Sequence, residues 1–124
     1  MNREIKFRVW DKLDKRFTNS STPNQVHYII TLNGVFHNLQ NGSGGNDYEI
    51  QQYTGLKDRN GVEIYEGDIL YRRGADQYWK VEYRAEEAAF ILVDGHNESW
   101  GFLALRNNSE IAGNIFENPE LLKA

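Results

Sequence analysis

Four carboxylates, Asp58, Glu63, Glu66 and Asp68, fall within one short stretch and are the first side chains here whose spacing suggests chemistry. A pair of carboxylates divides acid and base roles when its surroundings split the two pKa values. These four, however, stand near Gly and Asn in turn-forming sequence, where Asp and Glu bond local amides or face water. The turn role is the favoured reading. The histidines are His27, His37 and His96. His27 and His37 can face each other across Asn33-Gly34, and Asp94 or Glu98 would complete a mixed metal site. Their spacing matches no ligand motif, so ordinary strand and loop histidines are favoured.

Other catalytic signatures are missing from the sequence. Gly42-Ser43-Gly44-Gly45 is glycine-rich but lacks the following Lys and helix of a phosphate-cradling loop, and no nucleophile elbow occurs. With no cysteine, thiolate metal sites and disulfides are excluded. The expectation is a protein that is not an enzyme and takes no cofactor or metal.

Charge is unevenly spread over the 124 residues, whose net charge is −4. Residues 1–17 hold six basic groups (Arg3, Lys6, Arg8, Lys12, Lys15, Arg16) against three acidic ones, while the remainder holds eight against fifteen. Arg3, Lys6, Arg8, Lys12 and Arg16 are therefore the candidate nucleic-acid contacts, since phosphate neutralisation needs a basic footprint. A solvated surface, or one half of a self-complementary charge pair, is the favoured alternative. The opening Met-Asn-Arg-Glu-Ile-Lys lacks the apolar run of a secretory signal, and no apolar stretch approaches the roughly 20 residues that span a bilayer. A cytoplasmic address and no membrane partner are expected.

The elements that position these groups read as strands. Aromatic residues are 13% of the chain, which suits a half-buried pleated surface. Ile5, Phe7 and Val9 alternate with charged residues and predict one buried face of a first strand, returning after Asp11–Lys15 through Arg16-Phe17. Val26–Leu32 and Val35–Leu39 predict a second hairpin about a type I′ Asn33-Gly34 turn. Tyr48–Tyr53, Val62–Tyr65, Ile69–Arg72, Ala88–Val93, Ser99–Leu103 and Glu110–Phe116 are further strands. Trp79, Val81 and Tyr83 interleave with Lys80, Glu82 and Arg84, which predicts that the first three point into a core. Asn118-Pro119-Glu120 marks one short C-terminal helical turn, with Asn118 as its cap. The aromatics Tyr53, Tyr65, Tyr71, Tyr78 and Trp79 fall near loop edges, where a small barrel offers a binding patch. Trp79 is expected in the core and Tyr78 at the surface. A single domain over 1–124 is expected, with a hairpin region at 1–47 and a barrel-containing region at 48–124.

Four blocks of sequence carry a family resemblance: Arg3–Asp11; Tyr53-Thr54-Gly55-Leu56-Lys57-Asp58 with Asn60-Gly61; Ile64-Tyr65-Glu66-Gly67-Asp68-Ile69; and Ile111-Ala112-Gly113-Asn114 with Asn118-Pro119-Glu120-Leu121-Leu122. In this order they resemble the YopX family, small proteins encoded by bacteriophages and prophages. The resemblance implies a mainly β protein with N-terminal hairpins and a C-terminal small barrel of the Src-homology-3 type. It implies a bacterial host cell as the setting and supplies no catalytic residue. The matching glycines Gly55, Gly61, Gly67 and Gly113 are expected where the backbone turns or another segment comes close. The expected function is a non-catalytic protein-interaction or self-assembly module. The alternative is a nucleic-acid-binding accessory protein using the basic hairpin of residues 1–17.

Overall fold

The computed structural model describes residues 5–17, 28–30, 36–38, 48–72, 74, 76–95, 99–100 and 109–123, the segments 28–30, 36–38 and 99–100 by their backbone alone. It is mainly β, and the described chain falls into two compact units, Phe7–Gln51 and Met1–Lys6 with Gln52–Ala124.

In the Phe7–Gln51 unit, β1 (Phe7–Asp11) pairs with β2 (Arg16–Phe17), and β3 (Tyr28–Ile30) pairs with β4 (Phe36–Asn38). The turn of the first hairpin is set by Asp11, whose Oδ1 accepts from the N–H groups of Leu13 (2.9 Å) and Asp14 (3.1 Å). Across that hairpin the Trp10 and Phe17 rings meet edge to face with centroids 5.0 Å apart. Val9 and Trp10 are both buried, whereas Phe7, and Ile5 in the other unit, are exposed. The expected single apolar face is thus corrected. Val9 and Trp10, neighbours that point to opposite faces of the strand, are both buried. In the second hairpin the register places His37 opposite Ile29. His27, the Asn33-Gly34 turn, His96, Glu98 and the Gly42–Gly45 stretch lie outside the described residues.

The second unit begins where β5 (Tyr48–Lys57) passes Gln51 and pairs with β6 (Glu63–Tyr65). Between Tyr53 and Lys57 the register slips, and Gly55 (φ +88°) occupies the irregular position in a conformation that residues with a Cβ seldom adopt. Thr54 bridges the slip, its hydroxyl donating to the Ile64 carbonyl at 2.8 Å and accepting from Leu56 N–H.

A tight turn at Glu66-Gly67 leads into a curled five-stranded half-barrel in the order β10-β9-β8-β7-β11. Its strands are β7 (Asp68–Arg72), β8 (Gln77–Arg84), β9 (Ala89–Val93), β10 (Ser99–Trp100) and β11 (Ser109–Asn114). All its pairs are antiparallel, and β11 returns beside β7 with a bulge at Ala112. The core is the cluster Ile64, Leu70, Trp79, Val81 and Leu92, with Leu56, Phe90 and Ile111 packed against it. Trp79 (1% exposed) and Val81 (2%) point inward as their alternation predicts, but Tyr83 is 46% exposed. That is a correction with a simple cause. Tyr83 is opposite Phe90, two pairs beyond Val81 and Leu92, where the hairpin runs toward its Ala85–Ala88 turn.

The C-terminal turn is a 3₁₀ helix, Pro119–Leu122. Asn118 precedes it but its side chain does not cap it. The Oδ1 atom instead accepts from Asn114 N–H at 3.3 Å. The expected capping bond is corrected on that ground: the side chain turns back toward β11, away from the helix it precedes.

Candidate functional site: polar side chains at the strand joints and two hairpin surfaces

Asp58, first of the four carboxylates that open the chemical question, is bonded through both of its oxygens. Its Oδ1 accepts from Asn60 N–H (2.8 Å) and Val62 N–H (2.9 Å), and its Oδ2 from Ile111 N–H (3.0 Å). Around it Asp58 N–H donates to the Val62 carbonyl, Gly61 N–H to the Asp58 carbonyl, and Arg59 N–H to the Ser109 carbonyl. One buried side chain therefore shapes the loop between β5 and β6 and fastens it to β11. Hydrogen bonds to a charged acceptor contribute about 1.5–3 kcal/mol each, so the joint is a substantial part of this unit's stability. Asp68 accepts from Tyr65 N–H at 2.8 Å, Glu66 from Gln52 N–H at 3.2 Å, and Glu63 pairs with Lys6.

Gly67 lies at the centre of this arrangement. Its N–H donates to the Val81 carbonyl, its own carbonyl accepts from Ile115 N–H, and its φ is +86°. A second joint holds the other end of β11. Asn114 Oδ1 accepts from Phe116 and Glu117 N–H (3.0 and 2.9 Å), and its amide donates to the Glu117 carboxylate at 2.8 Å. A Cβ on Gly113 would stand 2.4 Å from Asn118 Oδ1, and one on Gly95 only 2.1 Å from the Leu122 carbonyl oxygen. Gly113 is needed for close approach. Gly55, Gly61 and Gly67 all hold a positive φ. Gly95 matches no motif in the sequence. Its link to Leu122 joins segments far apart in the chain and leaves no local signal.

The aromatics form cross-strand pairs. Tyr53 and Tyr65 stand opposite each other with centroids 5.5 Å apart, and Lys6 lies over the Tyr53 ring at 5.1 Å. Tyr71 and Tyr78 pair at 5.0 Å on the β7–β8 hairpin, and both are half-buried. The Tyr71 hydroxyl donates to Asp76, and this bond raises its pKa above the usual 10.0, with smaller contributions from desolvation and from nearby charge. Tyr83 and Phe90 meet edge to face at 5.3 Å.

Among the described residues, the basic groups proposed for nucleic acid each have company. Lys6 pairs with Glu63, Lys12 with Glu49 at 3.6 Å, and Arg16 with Asp14 at 3.6 Å. Arg8 lies 4.4 Å from the Phe17 ring centroid and donates to Gln51 at 2.8 Å. Arg3 is outside the described residues. The Lys12 and Arg16 pairs are well exposed, a class of contact that contributes about 0–1 kcal/mol and opens readily. Among the described residues no group of three His, Cys, Asp or Glu is placed to hold a metal ion, and no helix is long and apolar enough to cross a membrane.

Residues 6–123 match the sequence profile of the family described as YopX protein. The chain belongs to the YopX family. Among solved structures it is similar to the crystal structure of protein EF1440 from Enterococcus faecalis, with a TM-score of 0.65 and 27% identity. The similarity covers 98% of this chain and 100% of that one. A comparison with curated proteins finds no match. Three of the four blocks that carry the YopX resemblance meet at the two joints just described, through Asp58, Gly61, Tyr65, Glu66, Gly67, Asp68, Ile111, Gly113, Asn114 and Asn118.

Proposed function

We propose that this YopX protein is a non-catalytic protein-interaction or self-assembly module, made from a phage or prophage gene and working in the cytoplasm of a bacterial host. One observation carries the reading. Asp58, Glu66 and Asp68, three of the four carboxylates whose spacing suggests chemistry, each accept hydrogen bonds from main-chain N–H groups. Groups held in this way organise strands and offer little to a substrate. The strand order supports a small barrel of the Src-homology-3 type, since four consecutive strands meander and the fifth returns beside the first. The nucleic-acid alternative draws less support. Lys6, Lys12 and Arg16 lie against carboxylates, which dilutes the footprint that phosphate binding needs.

The test is affinity capture of the tagged protein from host cells during phage growth, beside titration with single- and double-stranded oligonucleotides at low salt. Recovery of a stoichiometric protein partner or of further copies of the chain, with no oligonucleotide binding, is the expected result. Salt-sensitive oligonucleotide binding lost on Lys12→Glu and Arg16→Glu would transfer the assignment to the alternative.

A further inference from the structure

We propose that the loop between β5 and β6, residues 58–62, guards the free edge of β11 and keeps a second copy of this chain from adding a strand there. Nothing in this guard depends on the interaction-module reading. Among the described residues β11 ends the strand order of the half-barrel, with β7 on one side. Alternate residues of an antiparallel strand send their main-chain groups to the same side, and an edge left open in this way is a template for another chain. Ser109 and Ile111 are two apart, and both turn to the loop. Arg59 N–H donates to the Ser109 carbonyl and Ile111 N–H to Asp58 Oδ2, each at 3.0 Å.

A strand in that place would satisfy the same two groups and expose a new row of its own. The loop does not. Asp58 N–H donates to the Val62 carbonyl and Gly61 N–H to the Asp58 carbonyl, while Asn60 and Val62 N–H both donate to Asp58 Oδ1. With Arg59 N–H on Ser109, every N–H of residues 58–62 is used within the loop or on β11. The edge stops here. The occupant it keeps out is β11 of a second copy, because that edge is self-complementary. About a two-fold axis at Glu110, the Ser109 carbonyl of each copy would accept from the Ile111 N–H of the other. The same axis sets the two Glu110 side chains opposite each other, a like-charge pairing that opposes the contact. Glu110 is thus a second guard, tied to the first through Asn60 Nδ2 at 3.3 Å.

The experiment is sedimentation of the full chain across protein concentration, with Asp58→Ala, Asp58→Asn, Asp58→Asn/Glu110→Gln and Gly113→Ala beside the wild type. Near-ultraviolet circular dichroism checks that each variant folds, and if Asp58→Ala does not, Asp58→Asn decides alone. Each Asp58 variant should associate at least about tenfold more tightly than the wild type, as two added main-chain hydrogen bonds supply. Glu110→Gln should add about twofold to fivefold to that gain by removing the opposed charges. Gly113→Ala disturbs the other end of β11 through the Asn118 side chain and leaves the loop in place, so its association should match the wild type. Amide exchange followed by NMR should show Ile111 exchanging fast in dilute Asp58→Asn and slowly as concentration rises. Folded Asp58 variants that associate no more than the wild type would overturn the guard. Equal association by Gly113→Ala would overturn it too, by tracing the effect to lost stability. So would association that leaves the Ile111 amide unprotected or is indifferent to Glu110→Gln.

Discussion

Asp11 and Asp58 do the same local work in two different settings. Each opens a turn, and each uses Oδ1 to accept two main-chain N–H groups within the next four residues. Asp11 sits on a half-exposed hairpin and its bonds stay within the turn. Asp58 is buried and has a second oxygen on Ile111, far along the chain in β11. An identical turn device becomes a fold-determining joint when its second oxygen reaches a strand far along the chain. Water can replace the partners of the first aspartate but reaches those of the second poorly.

The largest effect should follow Asp58→Ala, which leaves three N–H groups without their acceptor, one of them on the return strand β11. Urea denaturation should show a loss of about 3–5 kcal/mol, from charged hydrogen bonds of about 1.5–3 kcal/mol each offset by rehydration of the loop. Asp58→Asn divides the joint: it keeps one acceptor oxygen and turns an amide donor toward the other N–H, so about 1–3 kcal/mol is expected. Equal losses in the two variants would mean that the link to Ile111 contributes little and that the two aspartates are equivalent after all.

Next in size is Gly113→Ala, at the opposite end of β11. The added methyl would meet the Asn118 side chain at 2.4 Å, and forcing that contact apart should cost about 1–3 kcal/mol. Hydrogen exchange should show early opening of Asn114 and Phe116–Glu117, with β8 and β9 still protected. Asp11→Ala closes the comparison at the low end. Loss of a local, solvent-accessible turn bond is expected to cost about 0.5–1 kcal/mol, with β7–β11 unaffected in the same exchange experiment.

How much of this was legible in the sequence depends on how far each contact reaches. The strands from β5 to β9 follow from alternation and turn residues, and the inward set of Trp79 and Val81 from period two alone. Tyr83 breaks that rule because a periodic pattern says which face a residue takes and nothing about where the core ends along the strand. Ile5 and Phe7 fail against Val9 and Trp10 for a related reason: alternation assumes one wet face, and near the Trp10–Phe17 contact β1 has none. The four carboxylates could be assigned to turns from their neighbours, but the bond from Ile111 to Asp58 spans 53 positions and leaves no local trace. Asn118 shows the opposite error. Asn-Pro-Glu is a sound local cap signal, and a distant-looking competitor, the Asn114 N–H at the end of β11, takes the side chain.

A third aspartate refines the contrast at the smallest scale. Asp76, in the turn between β7 and β8, has its partner in a side chain: it accepts the hydroxyl proton of Tyr71. That bond exists only while the phenol is protonated, so Tyr71 titrates above its ordinary 10.0, helped by slight desolvation and by the charges of Asp76, Tyr78 and Glu110. The raised value in the folded state fixes the sign. The stabilising contribution is fully present below about pH 10, the unfolded value, and disappears as pH rises through the higher folded value, since the native state holds the proton longer than the unfolded one. An ultraviolet titration should therefore show one tyrosine ionising later than its fellows. Tyr71→Phe should remove that late component, and Asp76→Asn, which keeps an acceptor but drops the charge, should move it back toward the others. If Asp76→Asn leaves the titration unchanged, then the hydrogen bond alone holds the proton and the negative charge of this third turn has no part in it.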